Sequence, residues 1–385
     1  MSSKTNKEKF LIVTTIPASL YFFKGQVGIL KSEFDIEVAS GPGPGLEYFC
    51  EIESVKGHRI PKMKREISLF FDILSLINLI KLIKKIKPKV VHGNTPKGSF
   101  LSMIAAKITK TPVRIYCVHG LRYQGAKGMK RKLLMFLEKI SCSLATHVFS
   151  VSFGVLKIMK EDGIYKKEGH IIWNGSVNGI DIKHFSPDAV DEIELKKQLN
   201  LSDDNLVFGF VGRMVKDKGV NELVESFIKI NKLHPHTRLL LVGKFEEADA
   251  VTDFTKKEIV THQNIIYCGQ QKDIRPYLKL MDIFTFPSYR EGFGVSLMEA
   301  AAMNLPAISS NITGCNEIIK DGFNGKLISS KSIKELYEMM IFFIENPLEL
   351  KKISKVSRQY VIDRYEQKKL WNKALEKYKS VVENV

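Results

Sequence analysis

The chain has 385 residues, 44% apolar and 26% charged, a composition that suits a globular protein with room for two cores and excludes a disordered or fibrous one. Its five cysteines (Cys50, Cys117, Cys142, Cys268, Cys315) form no C-x-x-C pair, which excludes a disulfide framework and a thiolate zinc site and points to a reducing compartment. The net charge of +17 is lopsided: residues 1–180 carry 29 Lys and Arg against 13 Asp and Glu, the remainder 30 against 29.

Phe10 to Thr15 is an apolar strand, and Ser19 to Ile29 a loop entering a helix. Asp35 to Ser40 predicts a second strand, running into Gly41-Pro42-Gly43-Pro44-Gly45. That run is a turn and not a dinucleotide fingerprint, because the third glycine would fall at Leu46 and two prolines lack the N–H groups of a phosphate cradle. Ile67 to Ile86 is helical; broken by Asp72, Asn78 and Lys81, it reads as amphipathic and not as a membrane span. The beginning of the chain has no signal-peptide pattern. Val90 to Asn94 is a strand, Gly98 to Lys107 a helix, Val113 to Val118 a strand closing on His119-Gly120, and Lys130 to Ser143 a helix. Thr146 to Val151 and Ile171 to Trp173 are the last strands of this half, and turn-rich Gly175 to Asp181 ends it. Strands alternating with helices predict an open parallel sheet, with ligands beyond the carboxyl ends of strands, where His92 and His119 fall.

The surplus of cations gathers at Lys62–Arg65, Lys84–Lys89 and Lys127–Lys132, which suits either a polyanionic partner or a merely solvated basic face. Helix-turn-helix, zinc-finger and RNP patterns are missing, so the expected partner is an anionic membrane surface and not a nucleic acid.

After Asp188 the pattern restarts. Asn205 to Val211 is a strand closing on Gly212-Arg213-Met214-Val215-Lys216-Asp217-Lys218-Gly219, and Asn221 to Leu233 is helical. Arg213 and Lys218 on one strand-to-helix loop suit a diphosphate, one as a planar fork and the other as a point charge. Arg238 to Val242 and Asn264 to Gly269 are strands, with Gln270 and Gln271 following. Ile283 to Phe286 is a strand, followed at once by Pro287-Ser288-Tyr289-Arg290-Glu291-Gly292-Phe293-Gly294 and a helix carrying Leu297, Ala300, Ala301 and Met303. A helix start favours an anion, Gly292 and Gly294 allow close approach, and Glu291 and Glu299 can accept from sugar hydroxyls. Ala307 to Ser309 completes the second sheet, and Lys331 to Tyr378 is nearly all helical. The sequence contains no Asp-x-Asp metal motif and no His/Cys cluster at ligand spacing.

The stretch from Pro287 to Glu299, two glutamates with seven residues between them, resembles the signature of the retaining GT-B glycosyltransferases of family four. Arg213 to Gly219 resembles their pyrophosphate loop and Val118-His119-Gly120 their V-H-G element. Thr95-Pro96-Lys97, Gly175–Asp181 and Gly314–Glu317 resemble the capsular and exopolysaccharide branch. The resemblance implies an α/β GT-B fold: two facing Rossmann-like, doubly wound domains with a cleft between them. Residues 1–180 would be the acceptor side, residues 181–363 the nucleotide-sugar domain, and a C-terminal helix of about 364–385 would dock back on the first.

The implied reaction moves a sugar, N-acetylhexosamine by preference, from a nucleoside-diphosphate donor (UDP-linked) to a lipid-diphosphate-linked saccharide in bacterial surface polysaccharide synthesis. It would use no metal or other cofactor, in a cytoplasmic protein held peripherally on the inner face of the plasma membrane. His119 would face the donor sugar, Arg213 and Lys218 the leaving diphosphate, Glu291 the sugar hydroxyls and Glu299 the ribose. Gly292, Phe293, Gly294 and Val295 would form the phosphate turn, Gln270 would lie against the base, and Gly25 would face the donor phosphate, though Lys24-Gly25-Gln26 lacks the family's usual glycine pair. Met303-Asn304 also departs from the usual glycine after the methionine, modestly, because Asn tolerates a helix-ending left-handed conformation. A sugar-nucleotide epimerase of related plan, and a basic nucleic-acid- or membrane-binding protein without catalysis, are the competing classes. An epimerase would convert the donor with no acceptor present, and the intact Arg213, Lys218, Glu291 and Glu299 argue against a dead scaffold.

Overall fold

Continuous apolar runs make the strands of two separate parallel sheets, described over residues 7–384 of the computed structural model. One unit comprises the chain up to Gly179 together with Gln367 onward; Ile180–Glu366 form the other.

In the first unit the strands are β1 (Glu8–Val13), β2 (Phe34–Ser40), β3 (Lys56–Arg59), β4 (Val90–Asn94), β5 (Val113–Val118), β6 (His147–Ser150) and β7 (His170–Ile171). They run parallel in the order β3-β2-β1-β4-β5-β6-β7. Side chains alternate across the pleat, so Phe10 and Ile12 enter one core and Leu11 and Val13 the other. The first core is closed by Leu20, Phe23, Val27 and Leu30 and by Ala374, Tyr378 and Val381 of the helix Gln367–Glu383. Helices Leu69–Ile86, Pro96–Ile108 and Gly128–Leu144 lie side by side over the second core.

The second unit carries β8 (Leu206–Val211), β9 (Thr237–Val242), β10 (Ile265–Tyr267), β11 (Ile283–Phe286), β12 (Ala307–Ser310) and β13 (Gly325–Ile328). Their order is β10-β9-β8-β11-β12-β13, again all parallel. Both sheets therefore reverse direction at a central pair, β1/β4 and β8/β11. In doubly wound folds the crevice beyond the carboxyl ends of such a pair is where ligands bind.

Some elements differ from the sequence expectation, among them helices such as Phe153–Glu161 and Asp253–Thr261 that it does not include. Strands β3 (Lys-Gly-His-Arg) and β13 (Gly-Lys-Leu-Ile) are short edge strands, whose polar and lysine content hides them from an apolar search. The glycine–proline run is a turn only as far as Gly43; Pro44 occupies the first turn of the helix Pro44–Glu53, where its missing N–H costs nothing. The strand expected at Ile171–Trp173 is instead His170–Ile171, and Trp173 sits at φ 54° outside it.

Chain direction also sorts the basic clusters. A helix that follows a parallel strand starts at the sheet's carboxyl edge, which places Lys62–Arg65 and Lys127–Lys132 there. Lys84–Lys89 spans the end of one helix and the approach to β4, and so lies at the amino edge. The three clusters do not form one face.

Candidate active site

At the carboxyl edge of the second sheet two loops are built as one. After β8 the chain makes a single 3-10 turn, Lys216–Lys218, and then Gly219 at φ 70° starts the helix Val220–Leu233. A Cβ on Gly219 would lie 2.1 Å from the carbonyl oxygen of Pro287, so only glycine lets this turn press on the loop after β11. Asp217 clamps the contact: its carbonyl accepts from Tyr289 N–H (2.8 Å), and its carboxylate from Arg290 Nε (2.7 Å).

The charged centre lies inside this clamp. Lys218 Nζ donates to Glu291 Oε1, which also accepts from buried Ser288 Oγ at 2.8 Å. The two side chains are only 18% and 11% exposed, and the ammonium also lies 5.0 Å from the Phe286 ring centroid. An ammonium has three N–H donors, so Lys218 can hold Glu291 and an anion together. Arg213 reaches Glu246 at 2.7 Å, but its side chain is half exposed. Exposed pairs are worth about 0–1 kcal/mol, so an arriving diphosphate can take this guanidinium at little cost.

The turn Gly292–Val295 departs from the expected phosphate cradle. Gly294 N–H donates to Gly314 O (3.0 Å) and Val295 N–H to Phe293 O (2.9 Å), so both amides are spent within the protein. Phe293 is buried against Tyr365, ring centroids 5.3 Å apart, which makes it a core residue and not a ligand-facing one. Gly292 lies on Gly314, where a Cβ at φ 78° would come within 2.7 Å of the Gly292 oxygen. Glu299 is half-buried on the helix Val295–Ala302, yet enclosed closely enough that burial pushes its carboxyl up to about 8. Gln270 is exposed beyond β10, on an edge where Gly269 O accepts from Gly243 N–H (2.8 Å) and a Gly243 Cβ would strike Gly212 O at 1.7 Å.

In the first unit, His119 follows β5 and stacks on Phe22, ring centroids 4.6 Å apart. Its Nε2 donates to Asn94 Oδ1 at 2.9 Å, while its buried Nδ1 has no partner. His92 is fully buried and satisfied by Asn94 and Tyr378. Burial, reinforced for His92 by the charge His119 would carry, lowers His92 to about 3, and burial lowers His119 to about 4; both rings are neutral at neutral pH. With its proton on Nε2, the free ring nitrogen of His119 carries a lone pair.

Gly25 has other work than facing a phosphate. At φ 77° its N–H donates to Glu53 Oε1 (2.7 Å), and a Cβ would lie 2.4 Å from the Trp371 ring. Residues that the sequence left without a role are Ser288, Asp217, Asn94 and Tyr378. Ser288 was visible in the Pro-Ser-x-x-Glu run, whereas the others are identified only by their partners. Among the described residues no group of three His, Cys, Asp or Glu could hold a metal ion.

Two doubly wound parallel sheets, with a cationic strand-to-helix loop clamped against a glutamate-bearing turn, define a glycosyltransferase of GT-B type. Residues 12–152 match the family described as glycosyl transferase 4-like, and residues 191–360 match glycosyl transferases group 1. The chain belongs to this family of glycosyltransferases. It is 32% identical over 366 residues to the capsular polysaccharide biosynthesis glycosyltransferase CapM of Staphylococcus aureus, covering 94% of this chain and 95% of that one. It is 29% identical over 360 residues to the Escherichia coli UDP-Gal:alpha-D-GlcNAc-diphosphoundecaprenol alpha-1,3-galactosyltransferase, covering 92% and 91%. Among solved structures, the Anabaena protein HepE in complex with UDP superposes with a TM-score of 0.80 at 17% identity, over 97% of this chain and all of that one.

Proposed function

We propose that this glycosyltransferase moves a sugar, with retention, from a UDP-sugar to a lipid-diphosphate-linked saccharide during assembly of a bacterial surface polysaccharide. N-acetylhexosamine is the preferred sugar. The second unit binds the nucleotide sugar and the first receives the acceptor. The observation that carries the reading is the Lys218–Glu291–Ser288 cluster at the β8/β11 switch point. The named substrates of the Escherichia coli relative, a UDP-sugar and a diphosphoundecaprenol-linked sugar, support the same classes here.

The bond between the sugar's anomeric carbon and the diphosphate oxygen breaks as Lys218 and Arg213 meet the growing negative charge, without need of a metal ion. Fixed donors of this kind commonly make the largest contribution to lowering a barrier. The acceptor hydroxyl bonds to that carbon from the face the diphosphate leaves, and its proton passes to the departing phosphate. Glu291, held by Lys218 and Ser288, orients sugar hydroxyls; His119 accepts from another; Glu299 takes the ribose, and Gln270 lies against the base. Gly292 keeps its place at the phosphate turn, whereas Gly25, Phe293 and the amides of Gly294 and Val295 are left out of the binding set.

The acceptor's lipid implies a membrane face, at the carboxyl edge of the first sheet. The exposed cations Lys62, Lys64, Arg65, Lys127, Lys130 and Lys132 lie there beside exposed apolar side chains. Leu69, Phe70 and Ile73 open one helix and Met129, Leu133 and Phe136 another; Leu69 and Met129 are each 79% exposed. Basic and apolar residues together at a helix start suit insertion into the headgroup layer of an anionic leaflet. No helix among the described residues is long and apolar enough to cross a membrane.

Screening nucleotide sugars for thermal stabilisation tests the donor class. A ligand at a hundred times its Kd should add about 2.7 kcal/mol. UDP-sugars should stabilise the protein and be consumed only when a lipid-diphosphate-linked acceptor is present. Conversion of the donor alone into a new nucleotide sugar would identify an epimerase instead.

A further inference from the structure

His119 is the end of a buried chain of hydrogen bonds that begins on the C-terminal helix. Tyr378 Oη lies 3.1 Å from His92 Nε2, His92 Nδ1 lies 2.9 Å from Asn94 Nδ2, and Asn94 Oδ1 lies 2.9 Å from His119 Nε2. Tyr378, His92 and Asn94 are all buried.

The direction of every bond follows from the backbone. Asn94 Nδ2 also faces the carbonyl oxygens of His92 (3.1 Å) and Val13 (3.5 Å), which can only accept, so the amide nitrogen is on that side. Asn94 Oδ1 then faces His119 and must accept, which puts the proton of His119 on Nε2. His92 Nδ1 accepts from Asn94, so its proton is on Nε2 and donates to Tyr378. His119 Nδ1 is left as a lone pair with no partner, on a ring held in plane by Phe22.

We propose that Asn94, His92 and Tyr378 are positioning residues that fix His119 as the Nε2–H tautomer, so that its Nδ1 accepts a hydrogen bond from a hydroxyl or amide N–H of the donor sugar. The proposal rests on the reading of His119 as a residue of the sugar site. It gives the helix Gln367–Glu383 a second task beyond closing a core, because Tyr378 supplies the acceptor at the far end of the chain. It also sets a chemical filter: a sugar presenting only an acceptor at this nitrogen is rejected, since the lone pair has no proton to offer.

The test uses the full chain with its nucleotide sugar and lipid-linked acceptor. In ring-15N-labelled protein, the resonances lost in His119→Ala identify His119, and they should show Nδ1 unprotonated and Nε2 protonated. Asn94→Ala should mix the tautomers and lower kcat about 10- to 100-fold. In the His119→Ala background the same substitution should change kcat less than twofold, because it acts only through the imidazole. Tyr378→Phe, which keeps the packing and so guards against a folding defect, should lower kcat a few-fold and shift the same tautomer balance. A proton on Nδ1 in the wild-type protein, or an equal cost of Asn94→Ala in both backgrounds, overturns the relay while leaving the glycosyltransferase reading intact. Wild-type turnover in His119→Ala overturns the sugar-site role of His119 and the relay with it.

Discussion

The two sheets share one strand order about a central reversing pair, yet their carboxyl edges carry opposite chemistry. In the second unit the edge is ionic: Lys218 with Glu291, Arg213 with Glu246, Arg290 with Asp217. In the first the strand ends hold neutral rings, His92 and His119 being kept uncharged by burial and joined through Asn94, while the cations of that edge are exposed on the following loops and helix starts. Ion pairs can exchange partners, so an edge built from them can accept an anion and release it as a leaving group. A neutral network of fixed direction cannot compensate a diphosphate, but it can orient hydroxyls without the cost of desolvating a charge. One topology thus provides two kinds of site, and the loops after the strands decide which.

The contrast breaks most visibly at Lys218. Lys218→Ala removes the buried cation and strands Glu291, and should lower kcat about 10²–10³-fold, the size seen when a fixed donor to developing charge is lost. Single-turnover rates at saturating donor check it. Arg213→Ala should cost clearly less, because its side chain is half exposed and its pairing with Glu246 is one it can leave freely.

Glu299 sharpens the comparison through pH. Its carboxyl ionises near 4.5 in an unfolded chain and near 8 in the folded one, and burial likewise raises Glu138, beside Tyr116, to about 7. Between those values the folded protein holds more protons than the unfolded one, so stability is greatest at the acid end of the window and falls as pH rises from about 5 to 8. Glu299→Gln should flatten that fall in denaturant midpoints measured from pH 5 to 9. The same variant should raise the donor KM by a few-fold to about tenfold, the value of a hydrogen bond to a neutral group.

At the membrane face the expected effect is on binding and not on turnover. Each cation near an anionic leaflet contributes about 1 kcal/mol, so reversing Lys62, Lys64 and Arg65 should weaken co-sedimentation with anionic vesicles by at least about two orders of magnitude. Reversing Lys84, Lys85 and Lys87, at the other edge of the sheet, should leave it nearly unchanged.

Much of this architecture is written in local sequence. Leu206–Val211 and Ile283–Phe286 are mostly apolar runs whose strand limits can be read from residue type, since both faces are buried. Polar β3 and β13 escape because an edge strand needs only one neighbour and little burial. The ligand-bearing loops are legible as motifs, but not their internal partners. Lys218 and Glu291 are 73 residues apart, and His92 and Tyr378 are 286 apart, so each pairing exists only once the sheets have formed. The amides of Gly294 and Val295 show the limit in the other direction. A glycine turn at a helix start looks like an anion cradle in sequence, but Gly314, twenty residues on, occupies the first of those amides.

A crystal soaked with UDP tests the central claim most directly. A β-phosphate is expected within hydrogen-bonding distance of Lys218 Nζ, with Arg213 turned from Glu246 to the phosphate and Glu291 still held by Ser288. Nucleotide bound elsewhere on the protein, with the Lys218–Glu291 pair and Arg213 untouched, would contradict it.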